Sequence, residues 1–125
     1  MNGWSEEAVG TLLRNMELPE TRYQPDVGLC LEMERRGKLY LEQKDEGLLI
    51  YLAREVSVHI GDLATRALSE CHFRSGLPFE LQVGLRGEDQ LVLLTHVPRQ
   101  HCTSTVLEAA LALLTRMQVR LLDQV

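Results

Sequence analysis

The three cysteines and four histidines are the side chains that could bind a metal ion or supply a nucleophile. They are Cys30, His59, Cys71, His72, His96, His101 and Cys102. Structural zinc sites pair their ligands at short fixed spacings, such as C-x₂₋₄-C and H-x₃₋₅-H. His96 and His101 have a suitable spacing but lack a matching cysteine pair. The pattern therefore predicts no metal site, and it predicts thiols that are reduced and largely buried.

Other catalytic arrangements are equally weak in this sequence. No feature marks an activated thiolate beside a histidine. The segment GLRG at 84–87 lacks the Lys-Ser/Thr that a phosphate-binding loop requires. Glu32, Glu34 and Glu42 fit the solvated face of a sheet better than an acid–base pair. We predict no catalytic residue and no cofactor, with a small thiol or metal enzyme as an alternative that metal analysis and thiol labelling would test.

Composition limits the kind of partner that the chain can have. The 125 residues are 45% hydrophobic and 25% charged, with a formal net charge of -5, which predicts one globular domain over 1–125. An acidic chain is a poor binder of nucleic acid. No apolar run approaches the ~20 residues that span a bilayer, and residues 1–7 lack the features of a signal peptide. We therefore expect a cytoplasmic protein without membrane insertion.

The spacing of apolar residues predicts three helices and five strands. Helices are predicted over 4–17, 58–74 and 104–122, and strands over 28–34, 38–44, 48–54, 79–86 and 90–97. Short connections between consecutive strands favour antiparallel pairing. The prediction is an α+β fold with the order helix, three strands, helix, two strands, helix, in which helices pack on a five-stranded, mostly antiparallel sheet.

Two predicted strands, at 48–53 and 91–94, are apolar on both faces. Alternation assigns one face, here called the inner face, to Leu29, Leu31, Met33, Leu39, Leu41, Leu48, Ile50, Leu52, Leu81, Val83, Leu85, Leu91 and Leu93. The opposite outer face carries Cys30, Tyr40, Leu49, Tyr51, Val92, Leu94 and His96, with Glu32, Glu42, Glu80 and Arg86 at its rim. An apolar centre with a charged rim is typical of a protein–protein interface. The alternative is that helix 58–74 covers this face within the monomer.

Five short segments, in their order and spacing, resemble one known family. They are LEM at 31–33, GKLYLEQ at 37–43, LAR at 52–54, SGLP at 75–78 and QLVL at 90–93. The chain is similar to the small, acidic, effector-binding chaperones of type III secretion, and among them to the SycN family, over about residues 4–122.

This resemblance implies a dimeric protein that binds other proteins and is not an enzyme. It implies dimerisation through the second helix and the later strands, and on this sequence that assignment falls on Ile60, Leu63, Ala67, Leu49, Tyr51, Val92 and Leu94. It also implies that an extended cargo segment lies along the first helix and first strands, at Trp4, Val9, Leu12, Leu29, Leu31 and Tyr40.

The resemblance further implies particular partners. SycN-like chaperones pair with a second small chaperone of YscB type, and the heterodimer binds the N-terminal segment of a YopN-type gatekeeper, which plugs secretion until host contact. The same expectation includes a TyeA-type protein bound to the gatekeeper's C-terminal part. It also includes a position in the bacterial cytoplasm near the inner membrane. A self-contained homodimeric scaffold that binds another protein is the alternative function.

Overall fold

The computed structural model describes residues 3–18, 23–33, 36–55, 81–86 and 89–122. Its elements are α1 (Glu6–Asn15), β1 (Leu29–Met33), β2 (Gly37–Lys44), β3 (Gly47–Glu55), β4 (Leu81–Arg86), β5 (Gln90–Pro98), a 3₁₀ turn (Arg99–His101) and α2 (Ser104–Leu122). These elements follow the predicted order. The predicted helix over 58–74 lies outside the described residues.

The five strands form one sheet with the order β1-β2-β3-β5-β4, and every neighbouring pair is antiparallel. The α+β prediction is confirmed. The two strands that are apolar on both faces, β3 and β5, are adjacent and have a neighbour on each side. Their outer-face residues therefore form one continuous apolar surface across neighbouring strands.

The strand register confirms the assignment of the two faces. On the inner face, Leu39, Leu52 and Leu93 lie side by side across β2, β3 and β5, and all three are buried. On the outer face, Tyr51 lies between Tyr40 and Leu94 in the same way. Because the side-chain period of a strand is two residues, this register sends every second residue to the same face.

Both described helices pack on the inner face. The apolar side of α1 faces the core that the sheet shares with α2. Val9, Leu12 and Leu13 have no exposed surface there. α2 contributes Leu107, Ala110, Leu111, Leu113, Leu114, Met117 and Leu121. The core is therefore a layer of leucines between the two helices and one side of the sheet, as the apolar spacing predicts.

The turn between β1 and β2 is held in place by a polar contact and by a glycine. The amide of buried Gln118 in α2 donates to the backbone carbonyl of Arg36 at 2.9 Å, which attaches the β1–β2 turn to α2. Gly37 completes that turn with a φ of 91°, and a Cβ there would approach the carbonyl oxygen of Ala53 to 2.1 Å. Glycine is required at this position both by backbone conformation and by the close approach of β3.

The start of α1 is joined to the sheet by a second polar cluster. The Ser5 hydroxyl lies 2.5 Å from the Tyr23 hydroxyl and also donates to the side chain of Gln43 in β2. Burial raises the pKa of the Tyr23 phenol. Trp4 packs against the same core, and the guanidinium of Arg99 lies 5.3 Å from its ring centroid.

Candidate partner-binding face

The outer face of the sheet contains a depression of about 420 Å³. Its lining residues come from four neighbouring strands and are Glu42, Leu49, Tyr51, Gly84, Arg86, Val92 and Leu94. The four sheet residues assigned to a dimer interface, Leu49, Tyr51, Val92 and Leu94, therefore lie together, and each is half-buried. Both described helices are on the opposite side of the sheet, so this apolar surface is separate from the core.

Tyr51, which lines the depression, stacks on Tyr40 in the neighbouring strand. Tyr40 and Tyr51 are directly opposed in the β2–β3 register, with ring centroids 4.7 Å apart and ring planes inclined by 10°. The Tyr51 hydroxyl donates to the carboxylate of Glu42. Cross-strand aromatic pairs stabilise a sheet beyond their buried area. The stacking and the hydrogen bond together orient the Tyr51 ring beside the depression.

Arg86 shows that the outer face is curved inward. It ends β4 at one edge of the sheet, yet its guanidinium carbon lies 5.8 Å from the ring centroid of Tyr40 in β2. Two strands, β5 and β3, lie between β4 and β2. Strand twist brings distant parts of a sheet toward each other on one side. The result is a concave, mainly apolar surface whose lining also includes the carboxylate of Glu42 and the guanidinium of Arg86.

The Tyr51–Glu42 hydrogen bond is expected to delay ionisation of the Tyr51 phenol at alkaline pH. Burial, and then the hydrogen bond to Glu42, raise the pKa of Tyr51 from 10.0 to about 12. Because folding raises the pKa of Tyr51, the protonated phenol contributes to the free energy of unfolding. This contribution is fully present below the ordinary pKa of 10.0 and is lost as pH rises through about 12. Glu42→Gln is expected to lower the pKa of Tyr51 but leave it above its ordinary value, because burial remains.

The measurement is the tyrosinate absorbance of the free subunit as pH is raised. Wild type should show late-ionising tyrosines, and Tyr51→Phe should remove one of them. Tyr23 is the internal control, because burial raises its pKa at a separate site and the Glu42 variant should leave it unchanged. An identical titration curve for wild type and Glu42→Gln would contradict the hydrogen bond.

The other residues assigned from the sequence are not gathered on this face. Ile60, Leu63 and Ala67 lie outside the described residues. Of the six assigned to cargo, Tyr40 lies on the outer face and Trp4 is partly exposed beside α1. Val9 and Leu12 have no exposed surface, and Leu29 and Leu31 are each 9% exposed on the inner face.

These four side chains are part of the core and offer almost no surface to a bound segment in this conformation. The physical reason is that an apolar stripe has the same spacing whether it packs inward or binds a partner. Gly84 was not among the assigned residues, although a glycine in the middle of a strand pattern often marks a close approach by another group.

The described residues offer little to metal or thiol chemistry. No three His, Cys, Asp or Glu side chains among them are grouped as a metal site. The prediction of largely buried thiols is wrong for Cys30, which is an exposed free thiol on the outer face. Cys102 is half-buried, and burial raises its pKa. A raised pKa disfavours the reactive thiolate. In the same part of the chain, no helix combines the length and the hydrophobicity that crossing a bilayer requires.

Comparisons with known proteins agree on one family. The family model described as "Type III secretory system chaperone SycN" matches residues 4–122. Chaperone protein SycN of Yersinia enterocolitica is 28% identical over 120 residues, covering 95% of this chain and 97% of the relative. The same protein of Yersinia pseudotuberculosis serotype I matches with the same identity and coverage.

Solved structures share the fold at lower identity. A chain of the ExoT–SpcS complex from Pseudomonas aeruginosa matches with a TM-score of 0.70 and 20% identity, over 96% of this chain and 98% of that one. A chain of the complex between the Yersinia pestis type III secretion chaperone SycH and a stable fragment of YscM2 matches with a TM-score of 0.65 and 14% identity, over 94% and 98%. The α+β architecture described above is therefore shared along nearly the whole chain.

Proposed function

The chain belongs to the SycN family of type III secretory system chaperones, and from this premise we propose that it is one subunit of a two-chain chaperone. In this proposal it pairs with a second small chaperone of YscB type. The pair then binds the N-terminal segment of a YopN-type gatekeeper and keeps that segment competent for secretion.

The observation that carries the pairing is the apolar centre of the outer face. Leu49, Val92 and Leu94 are half-buried there, although both described helices lie on the other side of the sheet. A stable interface buries about 800 Å² on each partner, and each Å² of apolar surface removed from water contributes about 25 cal/mol before the costs of association. A second subunit seated on this face would remove the remaining exposure of these side chains.

Cargo binding is proposed for a different part of the subunit, around α1 and β1. β1 is at one edge of the sheet, where an extended segment can add main-chain hydrogen bonds. Among the residues assigned to cargo, Trp4 keeps accessible aromatic surface beside α1, whereas Tyr40 keeps its accessible surface on the outer face. A segment that stays unfolded until it is bound can spread its apolar side chains over a large area. We propose that this binding needs no cofactor.

The proposal also concerns chemistry and location. We propose that the subunit acts by binding alone, without catalysis, in the bacterial cytoplasm. The same proposal includes contact with a TyeA-type protein on the gatekeeper. It also includes a peripheral position at the inner membrane beside the secretion apparatus, where the cargo would be delivered.

Co-expression tests the proposal directly. The chain is produced with the YscB-type subunit and the N-terminal segment of the YopN-type gatekeeper from the same bacterium, and masses are measured by light scattering after size exclusion. We expect a 1:1 heterodimer and a ternary complex with the gatekeeper segment. A stable monomer, or a homodimer that ignores both proteins, would refute it, and a homodimer would favour the scaffold function.

A further inference from the structure

A chain of hydrogen bonds attaches the beginning of α1 to the sheet. The Ser5 hydroxyl donates to the side-chain oxygen of Gln43 in β2, and it lies 2.5 Å from the Tyr23 hydroxyl. A hydroxyl has a single hydrogen to donate. Because Ser5 uses its hydrogen on Gln43, the Tyr23 hydroxyl must donate to Ser5. These three side chains, here called the Ser5 cluster, therefore connect the segment before β1, the start of α1 and β2.

Ser5 occupies the N-cap position of α1 but does not act as a cap. Within the described residues 3–18, its hydroxyl makes no capping hydrogen bond, and its backbone is helical, with a φ of -91° and a ψ of -10°. An N-cap serine usually accepts a hydrogen bond from the second or third amide of its helix, which stabilises that helix. Here the serine is fully buried and contacts Tyr23 and Gln43 instead. Its hydroxyl thus stabilises the docking of α1 on the sheet.

The rest of α1 is attached by its apolar side and by a polar contact at its far end. Four of its residues are buried in the core. At the far end, the Asn15 amide donates to the carboxylate of Glu108 in α2 at 3.2 Å, in an exposed position. An exposed hydrogen bond competes with water, so the buried cluster is the stronger polar attachment. The backbone hydrogen bonds of residues 3–18 join residues of that same segment, so α1 can separate from the core without breaking the pairing of the strands.

We propose that the Ser5 cluster is a latch on α1, which sets how often this helix separates from the core while the sheet stays folded. Folded proteins open locally, element by element, at free energies below that of global unfolding. Opening of α1 would break the cluster and expose its apolar side, including Val9 and Leu12, which have no exposed surface in the closed form. This inference concerns the conformational equilibrium of the chain itself and does not depend on the identity of its partners.

Amide hydrogen exchange of the full chain, measured peptide by peptide, tests the latch. Tyr23→Phe removes the first donor of the cluster and keeps the aromatic ring in the core. We expect the amides of α1 to exchange about three- to tenfold faster, which is the effect of losing the net contribution of one hydrogen bond. Exchange in β3 and β5 should stay as in wild type, because the sheet remains folded when α1 opens.

Tyr51→Phe is the matched control for this test. It makes the same substitution on the outer face, where it removes the hydrogen bond from the Tyr51 hydroxyl to Glu42. Exchange in α1 should then be that of wild type. Two results with Tyr23→Phe would overturn the latch. One is unchanged exchange in α1. The other is equal acceleration in α1 and in the central strands, which would mean that α1 opens only when the whole chain unfolds.

A double-mutant cycle tests whether the cluster acts as one unit. Ser5→Ala removes the middle of the cluster and both of its hydrogen bonds, so we expect a larger acceleration in α1 than with Tyr23→Phe. In the Ser5→Ala background, Tyr23→Phe should add no further acceleration, because the hydroxyl that it removes has already lost this acceptor. Effects that multiply independently would overturn the latch as a single device. Thermal unfolding of each variant verifies that the fold persists.

Discussion

Val92→Asp is expected to abolish pairing with the proposed second chaperone subunit while the free subunit stays folded. Val92 is half-buried at the centre of the outer face, between Ala53 in β3 and Gly84 in β4. In the free subunit, a carboxylate at this position keeps part of its contact with water. In the assembled pair it would be buried without a partner charge, which costs several kcal/mol, and about 3 kcal/mol already corresponds to roughly a hundredfold weaker binding.

The measurement is the dissociation constant for the YscB-type subunit, with circular dichroism of the free variant. Gln82→Asp is the matched control, because it adds the same charge to the same face at an exposed position outside the depression. We expect the control to pair with less than about a tenfold loss. Normal pairing by Val92→Asp would contradict the assignment of the outer face as the partner-binding surface.

Ile50→Ala is expected to destabilise the subunit itself, by about 2 to 5 kcal/mol. Ile50 is fully buried on the inner face of β3, between Leu41 in β2 and Thr95 in β5. Truncation removes apolar contacts with the core and leaves a cavity that the surrounding strands and helices fill only in part. Urea unfolding, followed by circular dichroism, measures the loss.

Leu49→Ala is the matched control for this prediction. It is the preceding residue of the same strand, it points to the opposite face, and it is half-buried rather than buried. We expect a loss of about 1 kcal/mol or less in the free subunit and a larger effect on pairing. Equal losses for Ile50→Ala and Leu49→Ala would mean that the two faces are equally packed within the monomer.

Stability must be compared both with and without the partner. A partner that binds only the folded subunit adds to its apparent stability, and an obligate pair can leave the free subunit only marginally stable. Unfolding of each variant is therefore measured alone and as the purified heterodimer. Loss of the free fold in Val92→Asp, to the same degree as in Ile50→Ala, would contradict the two-face assignment.

The cargo assignments show where sequence patterns stop being informative. The apolar stripes of the first helix and first strand correctly indicate surfaces that leave water, and the structure places Val9, Leu12, Leu29 and Leu31 in the core. Periodicity reports that a face is covered, but it does not report whether the cover is the same chain or another one. The outer face poses the same question, because the predicted helix over 58–74 lies outside the described residues, and pairing through this face stays a proposal.

The order of the described elements and the division of the sheet into two faces were determined by the sequence alone, because both depend on local geometry. Two residues per strand repeat and 3.6 per helical turn are properties of the backbone. Short connections between successive strands also leave little choice but antiparallel pairing.

Only the tertiary structure decided which strands meet and what shape they make. β3 pairs with β5 and not with β4, the strand that follows it in the chain. No local sequence pattern predicts this pairing, because it depends on packing between residues far apart in sequence. The approach of Arg86 to Tyr40 likewise depends on the assembled sheet, because two strands separate β4 from β2 and no single strand contains that geometry.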